Sequence, residues 1–250
     1  MKERMYRFQE KMNEALTRNQ RLCFMTRAME LQEQACDELR SLLEEASSVK
    51  AKAVEAKDEN AANAVLAYEN VIGALIAELQ MWISLKQDAP FPAWNYLIDS
   101  QMAALHAVRA HPVAEHMAKY LERLEAIESL LFPPQVFMSA GLTFGDAECS
   151  ICGNRYGECD HIKSRAYMGQ FCQRILKDIT FTEISMVDDP VDKRCIVTSY
   201  SADGKTMIDR MTLRPIASET NADVGRNAPV ALDDEIHQDE EYGNEKSQDG

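Results

Sequence analysis

The sequence predicts an α+β protein: a long-helix, coiled-coil-like bundle over residues 1–132, a small β module over 135–215 and a disordered acidic tail over 216–250. Three observations carry this division. Neither glycine nor proline occurs before Gly73, and of the 10 glycines only that one precedes Gly141. Both residues weaken a helix interior, so their absence is what long helices require. After Pro133-Pro134 the composition turns from Ala/Leu/Glu to Thr/Ser/Val/Ile/Asp. From about Ala217 acids dominate and apolar residues thin out, the composition of chain that cannot bury enough surface to order itself.

In the first segment Met5, Phe8, Met12, Ala15, Leu22 and Met29 recur at alternating steps of three and four, with Asn19 and Thr26 in the same phase. Cys36, Leu39, Leu43, Ala46 and Ala53 continue the stripe after a phase slip. This interrupted heptad pattern predicts one helix from about residue 2 to about residue 57. A second helix is expected over 59–86, with Val65, Leu66, Val71, Ile72, Leu75, Ile76, Leu79, Trp82 and Ile83 turned inward. Asp88 is the expected cap of a third, with Pro90 and Pro92 in its first turn. Pro112 opens a fourth, which must end near Phe132 because the residue before a proline is pushed out of helical geometry. Short links between four helices imply an antiparallel bundle or an extended hairpin. His106, His111 and His116 recur every five residues, a step that turns a helix by about 140° past one revolution, so they share no face and hold no metal.

In the second segment, strands are expected over 136–144, 179–187 and 194–200. Asp203-Gly204 supplies a tight hairpin leading to a further strand over 205–213.

The chain has 250 residues, 46% of them hydrophobic, and a net charge of −14. The uninterrupted apolar stretch around Gly73 is too short to span a bilayer, and no secretory leader is visible, so no membrane partner and a cytoplasmic setting are expected. The acidity argues against a generic nucleic-acid coat. The cysteines number 7, an odd count that speaks against a disulfide framework. Cys23 and Cys36 read as small apolar residues of the helices.

The remaining five cysteines cluster. Cys149-Ser-Ile-Cys152 is followed by Cys159-Asp-His161, with Gly153 and Gly157 at the turns. One Cys-x-x-Cys turn aims two thiolates at a single ion, and Cys-x-His returns two more donors. Zinc takes four such ligands in a tetrahedron, with sulfur at about 2.3 Å and nitrogen at about 2.0 Å. Cys149, Cys152, Cys159 and His161 are therefore the expected ligands of a structural zinc, with Cys172 as an alternative to His161 for the fourth position. Four protein ligands leave no position for water or substrate, so the ion staples a β module that has a modest apolar inventory.

The segments Ser139-Ala-Gly-Leu-Thr-Phe144 and Glu183-Ile-Ser-Met-Val-Asp-Asp-Pro190 resemble β elements of phage prohead maturation proteases and related capsid-assembly proteins. The resemblance covers residues 139–190 and implies a small β-barrel protease with a His and Ser pair. The upstream half of such a barrel is replaced here by helices, His161 is spoken for as a ligand, and Ser185 reads as an ordinary strand residue. No catalytic residue is carried across. The expected function is that of a non-enzymatic zinc-binding scaffold, phage-related, docking a protein partner or a second copy through its helices. Two alternatives stand beside it. Arg155, Lys163, Arg165, Arg174 and Lys177, interleaved with Tyr156, Tyr167 and Phe171, suit single-stranded nucleic acid. A prohead-protease-like or zinc-dependent hydrolase is the other, against which stands the lack of His-Glu-x-x-His, a nucleophile elbow and a phosphate-cradling glycine loop.

Overall fold

A computed structural model describes residues 2–201 and 203–216. The expected disordered tail, 216–250, lies outside the described residues apart from Ile216. The protein mixes helix and sheet. Five helices come first: α1 (Lys2–Gln20), α2 (Met29–Glu55), α3 (Glu59–Lys86), α4 (Pro90–Ala110) and α5 (Met117–Leu131). Eight short strands follow: β1 (Phe137–Thr143), β2 (Asp146–Cys149), β3 (Ala166–Tyr167), β4 (Gln170–Phe171), β5 (Arg174–Lys177), β6 (Thr180–Val187), β7 (Ser199–Ser201) and β8 (Met207–Asp209).

The single long helix expected over 2–57 is two helices. No glycine or proline breaks it; tertiary hydrogen bonds do. Asn19 is buried and returns its amide to the Ala15 carbonyl at 3.0 Å, and the chain then turns through Leu22 and Cys23. Gln32, wholly buried on α2, donates to the Leu22 and Phe24 carbonyls at 2.8 and 3.0 Å, oxygens that a continuous helix would have paired itself. Lys86, at the end of α3, donates to the Arg27 carbonyl at 2.6 Å. The fold-back sets α1 antiparallel to α2, as the ion pairs Lys11–Glu45 and Arg18–Glu38 show. The apolar stripe is thus spent within the chain, Phe8, Met12 and Ala15 from α1 meeting Leu39, Leu42 and Ala46 from α2 in one core.

Helix α3 is the central rod. Asp58 caps it by accepting from the Ala61 amide at 3.1 Å. It is long and apolar enough to cross a membrane by length and composition, but 72% of its most apolar window is buried inside the protein. The third helix starts as the prolines require, yet Asp88 is not its cap. Ala89 holds that position without a side-chain bond, while Asp88 takes a left-handed φ of 54° in the connecting turn. The fourth helix opens with a 3-10 turn, Pro112–Ala114, whose Val113 amide is capped by His111 Nδ1 at 3.1 Å; α5 itself begins at Met117. It stops at Leu131, where Phe132 is extended ahead of Pro133 as expected.

Strand β1 pairs antiparallel with β6, β2 with β5, β3 with β4 and β7 with β8. The strand expected over 194–200 is present only as Ser199–Ser201; residues 195–197 instead make isolated bonds to the edge of β1. The Asp203-Gly204 turn does join β7 to β8, with Asp203 accepting from the amides of Lys205 and Thr206 at 2.9 and 2.8 Å and Gly204 at a φ of 71°. Strand β8 is shorter than the 205–213 expected, because the chain turns at Arg210.

Strands and helices share one core. Phe137 and Phe132 pack on Trp94, whose indole N–H donates to the Lys193 carbonyl at 2.9 Å. Arg194 pairs with Asp99 and Lys193 with Glu128. Asn63 on α3 clasps the β3–β4 hairpin, accepting from the Gly169 amide at 2.8 Å and donating to the Ala166 carbonyl at 3.3 Å. Gly169 sits at a φ of 79°, and a Cβ there would lie 3.0 Å from Lys50 Cδ and 3.4 Å from Ala62 Cβ. The lysine tail can yield, so backbone strain sets the cost. Gly169→Ala is expected to destabilise the docked hairpin by about 1–2 kcal/mol. A urea titration followed through near-ultraviolet signals checks this, and an unchanged midpoint counts against it.

Candidate metal centre

Strand β2 ends on Cys149, opposite Arg174 of β5. The chain then turns sharply. The Gly153 amide donates to the Cys149 carbonyl at 2.8 Å, and Gly153 adopts a φ of 72° that a side chain would resist. Ser150 locks the turn to the far arm: its amide donates to the Gln173 carbonyl at 3.0 Å, and its hydroxyl accepts from the Gln173 amide at 2.8 Å. The return arm passes through Gly157, at a φ of 97°, and delivers Cys159 and His161.

The ligand atoms of Cys149, Cys152, Cys159 and His161 all lie within 4.8 Å of one another. In a tetrahedral site with sulfurs about 2.3 Å from the ion, ligand atoms stand about 3.8 Å apart, so the set needs little contraction to close on a metal. Cys149 is buried, Cys159 and His161 half-buried and Cys152 exposed. Among the described residues, His161 Nδ1 is buried with no hydrogen-bond partner, an orphaned lone pair of the kind a metal would satisfy. Two tyrosines steady the imidazole arm. The Tyr167 hydroxyl accepts from the Ile162 amide and the Tyr156 hydroxyl from the Lys163 amide, both at 3.0 Å. The Tyr167 ring also meets His161 edge to face at 4.7 Å.

Cys172, the alternative fourth ligand, is buried with its sulfur 3.7 Å from that of Cys149. The quartet that converges contains His161; Cys172 stands beside it. The two thiols are pushed apart in acidity. Burial and the neighbouring Cys149 raise Cys172 to about 12. Burial opposes ionisation of Cys149 too, but the amides of Cys152 and Ile151 and the nearby Cys152 and Cys172 thiols outweigh it and bring Cys149 down to about 6. The two sulfurs lie within hydrogen-bonding distance with their acidities shifted in opposite directions, Cys149 toward the thiolate, which is the form that binds metal.

The residues singled out for nucleic acid are near the quartet but engaged with the protein itself. Arg155 pairs with Asp146 at 2.9 Å and with Glu158 at 3.7 Å, and Lys177 pairs with Glu148 at 3.1 Å. Arg165 lies over the Tyr167 ring and Arg174 over the Tyr156 ring, 5.8 and 5.7 Å from the centroids. Phe171 packs on His106 at 5.2 Å. Lys163 contributes its backbone amide to the tyrosine cap. Sequence reasoning saw the tyrosines as stacking platforms and missed their role as caps. It had no signal for Asn63, which reaches the module from more than a hundred residues upstream.

Compared with protein-family models, with curated proteins and with solved structures, the chain matches none. Residues 139–144 and 183–190 fall largely on β1 and β6, the partners of one ribbon. Ser185 there hydrogen-bonds Glu183 at 3.3 Å, while His161 belongs to the sulfur cluster.

Proposed function

We propose that Cys149, Cys152, Cys159 and His161 hold one zinc ion as a closed structural site, and that the protein is a non-enzymatic interaction protein working in a reducing, cytoplasmic setting. The observation that carries this reading is the convergence of four soft or borderline donors from two arms of one knuckle. Three thiolates and an imidazole are a donor set that structural zinc takes, and with all four positions filled by protein the ion polarises no substrate. All seven cysteines are free, as a reducing compartment requires. The zinc fixes β2, β5 and the β3–β4 hairpin, and these strands form a platform on the helical core. A phage-related scaffold is the context the ribbon resemblance suggests. Single-strand binding is the weaker reading, because Arg155 and Lys177 are paired with acids of the same module, and the Tyr167 and Tyr156 rings lie under Arg165 and Arg174.

Native mass spectrometry of the purified full chain is expected to find one zinc per chain. A chain that is metal-free and still gives dispersed, protected signals over 146–177 overturns the reading.

A further inference from the structure

Strands β1 and β6 form a two-stranded ribbon that no third strand extends among the described residues. Its register sets Met138 against Met186 and Ala140 against Ile184; past a bulge, Leu142 stands against Phe181. Directly opposed residues of an antiparallel pair point to the same side. One face therefore carries six apolar side chains and no charge. The other face turns inward at one end, where Phe137 stacks on Trp94. The uncharged face looks away from the helices, with Phe181, Ile184 and Met186 exposed by 56%, 60% and 76%. The ribbon is held by residues 195–197 at the edge of β1 and by Phe137 against Trp94, while its outer apolar face stays exposed, and the largest exposed apolar patch of a protein is often functional.

We infer that this face is covered by the same face of a second copy. A two-fold contact sets like against like, so any charge on it would meet its own image. This face carries none, whereas Glu183 lies on the opposite face and Asp178, Asp188 and Asp189 flank the strand ends. At their exposures the three outermost side chains present about 350 Å² per copy, given that a phenylalanine alone buries about 150–250 Å². With the other three positions fully covered, two copies would bury up to about 1,000 Å², below the roughly 1,200–2,000 Å² of stable interfaces and in the class of weak, transient contacts. That area fits a weak, concentration-dependent dimer. The acidic flanks repel one another across it, so added salt strengthens association. The inference deepens the interaction role proposed above and moves the self-contact from the helices to the ribbon; it does not depend on the metal.

Sedimentation equilibrium of the zinc-loaded full chain over a micromolar concentration range tests it. The wild type is expected to dimerise, more tightly in salt. The double variant Ile184→Lys, Met186→Lys is expected to stay monomeric with unchanged circular dichroism and metal content, because both side chains are exposed. Leu130→Lys, on the exposed end of α5, is the control and is expected to dimerise like wild type. A wild type that is monomeric throughout, a dimer that survives both ribbon lysines, or one dissolved by Leu130→Lys each overturns the inference. Metal stoichiometry, measured on the same samples, reports separately on the zinc site.

Discussion

Cys152→Ser is expected to release the metal and unfold residues 140–190 while the five helices keep their structure. Structural zinc supplies an apparent binding free energy on the order of 10–16 kcal/mol, as much as the whole stability of an ordinary domain. The module has little to replace it. Its buried side chains are few, Ala147, Cys149, Ala166 and Cys172 among them, and of these Cys149 belongs to the quartet and Cys172 stands beside it. The helices, by contrast, bury Trp94, Met12, Leu39, Ile72, Leu79 and Leu97 and supply most of the core that the two parts share. Far-ultraviolet circular dichroism should lose little of its helical signal. Hydrogen exchange over 146–177 should rise to that of open chain, and limited proteolysis should cut there first. A variant whose C-terminal half stays protected would remove the claim that the ion is a staple. Acid should mimic the substitution. Backbone amides and neighbouring thiols outweigh burial and bring Cys149 down to about 6 before any ion is bound, and an ion lowers it further, so its contribution is present above the ordinary thiol value and is lost only as the pH falls through and below about 6. Metal loss and local unfolding should therefore appear together on acidification, with the helices intact.

The quartet was legible because its chemistry is local. Cys149, Cys152, Cys159 and His161 lie within one short stretch, and ligand spacing is a property of sequence. The helix ends at Leu131 and Gln20 show where legibility stops. Pro133 forces the first through a steric clash with its neighbour, which can be read directly. The second is made by Gln32 and Lys86, distant residues that supply hydrogen bonds to the turn, and no local pattern announces them. Strands β3 and β4 escaped for a related reason. Two residues each carry no periodicity, and their turn uses Met168-Gly169, both at positive φ, without the asparagine or aspartate that usually signals it. Asn63 holds that turn from α3, so the hairpin is stable through tertiary contact more than through its own sequence.

Glu78→Ala is expected to produce the opposite failure, a helical core that melts early around a metal site that stays loaded. Glu78 is wholly buried in the C-terminal third of α3. It accepts from Trp82 Nε1 at 3.1 Å and from the Tyr120 hydroxyl, and it pairs with Arg123 of α5. Cys23, in the turn after α1, is also held protonated there by burial and by the charge of Glu78. One carboxylate thus joins the α1–α2 turn, α3 and α5. Truncating it leaves a guanidinium, a phenol and an indole N–H without their acceptor; breaking a fully buried pair by removing one partner costs about 3–5 kcal/mol, and with the Arg123 side chain 35% exposed the lower end, about 3 kcal/mol, is expected. For a chain of this size that lowers the melting temperature by about 10 °C. The ellipticity at the helical minimum during thermal and urea melts gives the number, and a loss below about 1 kcal/mol would show that Glu78 is dispensable to the core. Replacing both partners separates attraction from orphaning. Glu78→Leu combined with Arg123→Met removes the pair without stranding a charge, and should recover much of what Glu78→Ala loses, since apolar groups of similar volume often substitute for buried ion pairs. If the double variant is as unstable as the single one, the carboxylate contributes through its bonds to Trp82 and Tyr120 and not through Arg123. Zinc content that is unchanged in both variants would place the helical core and the sulfur cluster on separate energetic footings within one continuous fold.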